Sequence, residues 1–316
     1  MSNTPMAQPM RALLGATSAL AKLNVGPTME SFIAKPHAER IAHKNPGLMT
    51  RRVTALIDTE DVHVEGRGGP IHTRIYRRPD TTPGAPGYLF VHGGGFAVGG
   101  VNFCDHVCRE LADRSGFVVV GLSYRLAPDH PFPAGIEDCQ DVLTWMVKEA
   151  PGGLDPERIA IAGESAGGNF AALLALWSRD NNGPRLTHHS PIYPLTDFTT
   201  SHIDWSEGNA GNPGITPDVA ETVAGIYCRD NDPANPLLSP IFADHENLPP
   251  ALIVTCEYDL LRNEGVALAK SYRDAGVDVT HVHMDDMPHG YLLMTRLTKR
   301  SYETMDLMIA EAKRYL

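Results

Sequence analysis

Two periodicities alternate along the chain. Asp61–Glu65 and Thr73–Arg77 switch between polar and apolar side chains at each step, as half-buried strands do. Tyr88–His92, Val118–Ser123, Arg158–Ala162, His188–Tyr193 and Ala251–Thr255 are short apolar or β-branched runs, and Val277–Met284 is another, with alternation in its middle. Helix-forming stretches separate the later runs, at about 104–115, 136–150, 166–180, 263–275 and 299–315. Strands alternating with helices predict a mostly parallel central sheet flanked by helices on both faces. Residues 1–50 break this rhythm: they read as two or three short helices punctuated by Pro27, Pro36 and Pro46. Residues 196–236 break it again, with Trp205, Pro213 and one helix expected at Pro217–Tyr227. An excursion of about forty residues is too long for an ordinary connection. The expected organisation is therefore N-terminal cap helices over 1–50, a main α/β domain over 51–316, and a cap insertion at about 196–236.

Composition narrows the class. The chain has 316 residues, 42% hydrophobic and 21% charged, enough for a large core in one α/β domain with additions. A net charge of −11 argues against a nucleic-acid partner, because phosphate backbones are held by clustered Lys and Arg. The longest apolar run, Phe170–Trp177, is eight residues, against about twenty for a membrane span. Five cysteines at 104, 108, 139, 228 and 256 suit a reducing compartment better than a disulfide framework. Cys104 and Cys108 bracket His106, but on a helix the sulfurs face one way and the imidazole another, so half-buried helix cysteines are expected and no metal. Met10–Ala21 has one positive charge followed by small and apolar residues, yet Gly15, Thr17 and Ser18 interrupt it. With Leu13, Leu20 and Leu23 at helical spacing, a short amphipathic helix and a cytoplasmic protein are expected.

The candidate chemistry starts at Gly163-Glu164-Ser165-Ala166-Gly167-Gly168, between the run ending at Ala162 and the helix-forming Phe170–Trp177. That is the strand–turn–helix setting of a G-x-S-x-G nucleophile elbow. Side chains two residues to either side of the serine would clash with the packed strand and helix, so Gly163 and Gly167 are required. His92-Gly93-Gly94-Gly95-Phe96 follows another strand, and three consecutive glycines let the backbone aim N–H groups at one point. Joined by the amide of Ala166, they would form an oxyanion hole. Neither a Walker loop nor a G-x-G-x-x-G fingerprint is present.

A general base must come from 14 histidines. In a serine hydrolase with this elbow the chain order is Ser, acid, His. His188 and His189 come too early, His202 and His245 fall in the insertion and a later loop, and His281 and His283 share one face of a strand. His289 follows that strand in a loop, where such a histidine belongs. For the acid, Glu257 and Asp259 in the loop after Ala251–Thr255 both qualify on position alone.

Six segments in this order resemble the hormone-sensitive-lipase family of α/β-hydrolases, the group that includes many bacterial carboxylesterases: His92–Phe96, Tyr124–Pro128, Phe132–Ala134, Gly163–Gly168, Tyr258–Arg262 and His289–Tyr291. The resemblance covers about 60–316. It implies the α/β-hydrolase fold with a helical cap, the triad Ser165, Asp259 and His289, and oxyanion donors at Gly94, Gly95 and Ala166. It implies a short-chain carboxylesterase acting through an acyl-serine intermediate on a small-molecule ester, with no cofactor or metal; for assembly, a homodimer is one option. Phe96 and Trp205 are expected in the pocket wall. Three positions depart from the family pattern: Glu164 where Asp or Thr is usual, Leu260 where Pro is usual, and Asn263 where a second Asp is usual. The alternatives are an amidase or lactonase using the same triad, or a non-catalytic ligand-binding relative.

Overall fold

A computed structural model describes residues 6, 8, 11–12, 29–45, 47–203 and 215–316. Eight strands form one sheet among these residues: β1 (Asp58–Gly66), β2 (Gly69–Arg77), β3 (Ala85–Val91), β4 (Val118–Leu122), β5 (Leu154–Glu164), β6 (His188–Ile192), β7 (Ala251–Tyr258) and β8 (Val279–Pro288). Their order across the sheet is β1-β2-β4-β3-β5-β6-β7-β8. β1–β2 and β2–β4 pair antiparallel, and every pair from β4 to β8 is parallel. The parallel strands read as continuous apolar runs because both faces are covered; all five residues of β4 are buried. β1, at an edge, is exposed over most of its length.

Helices cover the two faces. α4 (Ala134–Glu149), α5 (Ala166–Asp180) and α7 (Arg262–Asp274) pack with Leu89, Val120, Ile161 and Ile253. α3 (Asp105–Ser115) and α8 (Arg300–Lys313) pack with Phe90, Val119, Ala162 and Val254 on the other face. Neighbouring residues of one strand thus serve different cores, as strand geometry dictates. The remaining helices are α1 (Met29–Ile33), α2 (His37–Ile41) and α6 (Pro217–Cys228). α6 starts as its sequence suggests: Thr216 caps it by accepting the Val219 amide at 3.3 Å, and Pro217 occupies the first turn.

Several boundaries moved. β5 begins at Leu154 and β7 runs through Tyr258, so Glu257 lies in the strand rather than in the loop after it. Cys104 and Cys108 are fully buried, not half-buried, with sulfurs 3.8 Å apart, while His106 turns to the Leu293 carbonyl at 3.1 Å. Leu13, Leu20, Leu23 and Trp205 lie outside the described residues. No helix among the described residues is long and apolar enough to cross a membrane.

Candidate active site

β5 ends at Glu164, α5 begins at Ala166, and Ser165 makes the whole turn between them. Its φ of 59° and ψ of −119° lie where an L-residue is strained. The strain is held in place by packing. The Ser165 amide donates to the Ile192 carbonyl at 2.9 Å. A Cβ on Gly163 would fall 2.0 Å from the Gly167 carbonyl oxygen, and one on Gly167 2.0 Å from that of Val91. Only glycine lets strand and helix approach this closely.

His289 reaches this serine from the loop after β8. Its Nε2 stands 2.8 Å from Ser165 Oγ, and its Nδ1 is 2.8 Å from Asp259 Oδ2. Asp259 is buried just past β7 and also accepts the Leu261 amide at 2.9 Å. The His289 amide donates to the Tyr258 carbonyl at 3.2 Å, which ties the histidine loop to the acid's strand. Burial alone would lower the His289 pKa, but the charge and hydrogen bond of Asp259, backed by the charge of Glu164, raise it above its usual value.

The rival carboxylate is engaged elsewhere: Glu257 faces His283 at 2.9 Å and Arg262 at 3.1 Å. The other histidines named from the sequence are likewise held away from the serine. His281 and His283 both meet the Thr255 hydroxyl, His202 pairs with Asp197, and His245 lies against Ser271. His188 and His189 are buried in β6.

The glycine loop after β3 faces the same point. Gly94 has φ 100° and Gly95 φ 59°. A Cβ on Gly94 would lie 1.9 Å from the Val98 carbonyl oxygen, so the turn cannot form with a larger residue. The Gly94 carbonyl accepts the amides of Ala97 and Val98, both at 3.1 Å, which closes the turn. Gly94, Gly95 and Ala166 line one cavity with Ser165 and His289. Glu164 braces the loop from below: its buried carboxylate accepts the Gly93 amide at 2.6 Å. Burial pushes its pKa up to about 6, against the opposing pull of His289 and of the Gly93 amide.

The cavity measures about 200 Å³ and is mostly apolar. Its walls include Met29, Phe103, Leu195, Val219, Val223 and Leu293, drawn from α1, α6 and the loops around the sheet's carboxyl edge. Phe96 is not among them. Its ring is buried, stacked on Tyr227 at 3.9 Å and edge-on to Phe170 at 5.2 Å, so it serves core packing and corrects the expectation of a pocket wall. The wall residues and the brace from Glu164 were not assigned from sequence. The one signal pointing to Glu164 was its departure from the usual residue before the serine.

A family model described as alpha/beta hydrolase fold matches residues 88–293. Carboxylesterase NlhH of Mycobacterium tuberculosis is 37% identical over 252 residues, covering 78% of this chain and 79% of the relative. Ethyl acetate hydrolase of Pseudomonas putida is 31% identical over 260 residues, 79% of this chain and 80% of the relative. The hyperthermophilic esterase of Pyrobaculum calidifontis superposes with a TM-score of 0.80 at 31% identity, covering 98% of this chain and 99% of that one. With a matching model over most of the chain and relatives of this likeness, the chain belongs to the α/β-hydrolase family, among the hormone-sensitive-lipase-like carboxylic ester hydrolases.

Proposed function

We propose that this ester hydrolase cleaves short-chain acyl esters through an acyl-Ser165 intermediate. The observation that carries the reading is the unbroken hydrogen-bonded line Asp259–His289–Ser165, opening on an apolar cavity lined by Gly94, Gly95 and Ala166. In acylation, Ser165 Oγ attacks the ester carbonyl carbon while His289 Nε2 takes its proton. The carbonyl oxygen gains the negative charge and is met by the amides of Gly94, Gly95 and Ala166. When the C–O bond to the alcohol breaks, His289 returns the proton to the leaving oxygen. Water then repeats the sequence: its oxygen bonds to the acyl carbon while His289 takes its proton, the acyl–Oγ bond breaks as His289 returns that proton to Ser165 Oγ, and the acid leaves. Asp259 holds the imidazole in the tautomer with Nε2 unprotonated and stabilises the imidazolium that forms in each half.

Size supports the short-chain assignment. A cavity of about 200 Å³ is smaller than the roughly 300–1,000 Å³ of drug-sized sites, and Phe103, Val223 and Leu293 are among its walls. The relative that acts on ethyl acetate by name points the same way. We assign α1, α2 and α6 to a cap, because Met29 and Val219 bring two of these helices onto the cavity. Five cysteines, all buried and unpaired to disulfides, support a reducing compartment such as the cytoplasm.

A panel of p-nitrophenyl esters with acyl chains from two to sixteen carbons, with a matched anilide alongside, tests the reading. Highest kcat/KM at the short end and no anilide cleavage are expected. A long-chain optimum would overturn the chain-length assignment, and faster anilide than ester cleavage would make the protein an amidase.

A further inference from the structure

Arg40 is a cation in an unexpected place. It belongs to α2, a five-residue helix, yet its side chain is 1% exposed. A helix this short has little stability of its own and keeps its shape through tertiary contacts. A buried charge is tolerated only when its donors are satisfied. Arg40 Nη1 donates to the Ala97 carbonyl at 2.6 Å and to the Ala127 carbonyl at 2.5 Å. Nη2 pairs with Asp129, and Nε donates to the Lys35 carbonyl at 3.2 Å. In return the Arg40 carbonyl accepts the Gly99 amide at 3.0 Å.

The contacts converge on one turn. Ala97 is one of the two residues whose amides close the Gly94 turn, and Gly99 lies in the same loop. The neighbouring carbonyl, that of Phe96, accepts the Ala127 amide at 2.8 Å. One guanidinium nitrogen therefore bridges the glycine loop and the loop through Ala127, while α2's own backbone holds the far end. Gly93, Gly94 and Gly95 have no side chains to hold the turn, so besides its own backbone bonds it is held by groups outside it, Glu164 at the Gly93 amide and Arg40 at the Ala97 carbonyl.

We propose that Arg40 is a positioning residue for ester hydrolysis: it clamps the loop that presents Gly94 and Gly95, making the N-terminal cap segment and the oxyanion hole one rigid unit. This rests on reading those two glycines as oxyanion donors. Such donors act through preorganisation, and misplacement by about 1 Å costs on the order of a hundredfold in rate. The substrate's ground state does not depend on them, so Arg40 acts on kcat.

Arg40→Met and Arg40→Lys test this with four readouts, of which the first three are melting temperature, active sites titrated with a fluorophosphonate, and kcat and KM on p-nitrophenyl acetate. Inhibition by an alkyl trifluoromethyl ketone, which adds Ser165 and forms an oxyanion, is measured beside the matching methyl ketone. Expected for Arg40→Met is a kcat per titrated site reduced at least about tenfold, KM within about threefold, and trifluoromethyl ketone affinity weakened in step with kcat. Arg40→Lys, which keeps the charge but cannot span both carbonyls, should fall between. A lowered melting temperature with kcat per titrated site within about twofold of wild type would reduce Arg40 to a structural role and overturn the proposal. Should Arg40→Met fail to fold, the same result in Arg40→Lys overturns it. The underlying reading fails separately: a wild-type enzyme that binds the trifluoromethyl ketone no better than the methyl ketone has no oxyanion hole at these glycines.

Discussion

The carboxylate of Glu164 accepts the amide of Gly93 at 2.6 Å, so the residue before Ser165 braces the loop that faces it. Glu164 ends β5 and Gly93 follows the end of β3, adjacent strands in which Val91 pairs with Gly163 at the sheet's carboxyl edge. The same carboxylate adds its charge to that of Asp259 in raising the His289 pKa.

The pH profile of kcat/KM reads that second role. His289 must be neutral to accept the serine proton, and its pKa is raised, so the rising limb should lie above the ordinary histidine value of about 6.5. Glu164→Gln keeps an oxygen for the Gly93 amide but removes the charge. Imidazolium is then less favoured, and the limb should move to lower pH. Plateau kcat should fall less than about tenfold, roughly 1.4 kcal/mol. A limb that stays in place or moves to higher pH contradicts this coupling.

Asp259 and Glu257 are two residues apart, and only the first touches His289. Asp259→Asn should reduce kcat by about 10³–10⁴-fold, because the amide can donate to Nδ1 and favour the wrong tautomer. Glu257→Gln should change kcat less than about threefold. Steady-state kinetics on one short ester decide this, and the reverse ranking would move the acid.

The strained turn at Ser165 gives a stability signature. Ser165→Ala and Ser165→Gly should both lose about 10⁵–10⁶-fold in kcat. They should differ in stability: at φ 59° and ψ −119° glycine is unstrained while alanine is not. Ser165→Gly is expected to be about 1 kcal/mol the more stable, or roughly 2–4 °C in melting temperature. Equal melting temperatures by calorimetry would mean that the turn stores no strain.

Acid should destabilise the fold before ordinary carboxylates titrate. Burial lowers His92, His106 and His188 to about 4 and His189 to about 3. An unfolded chain protonates these groups near 6.5, so their stabilisation is complete above that pH. It is lost as pH falls toward 4, at about 1.4 kcal/mol per unit for each. Buried Glu164, Glu264 and His289, whose pKa values are raised, work in the opposite direction but are fewer. Urea midpoints should therefore drop steadily from pH 7 to pH 5. A midpoint that is flat or rises over that interval is the contrary result.

The sequence by itself determined what depends on neighbours along the chain. Strand and helix follow from periodicity, and the elbow follows from glycines two residues to either side of Ser165, because clash at a tight turn is a local matter. The position of His289 just past a strand was legible for the same reason, while the order Ser, acid, His was supplied by the pattern of the fold. Tertiary structure decided whatever depends on which strands lie side by side. Glu257 and Asp259 were equivalent on position; in the structure Glu257 lies within β7 and meets His283, while Asp259 lies just past the strand and meets His289. Phe96, at φ 59° just after the glycines, stacks its ring on Tyr227 in the aromatic core and does not line the cavity. Glu164 and Arg40 carried no local sign of their partners, which lie 71 and 57 residues away in the chain. A buried charge is chosen by the groups folding brings around it, and those contacts exist only once the sheet has assembled.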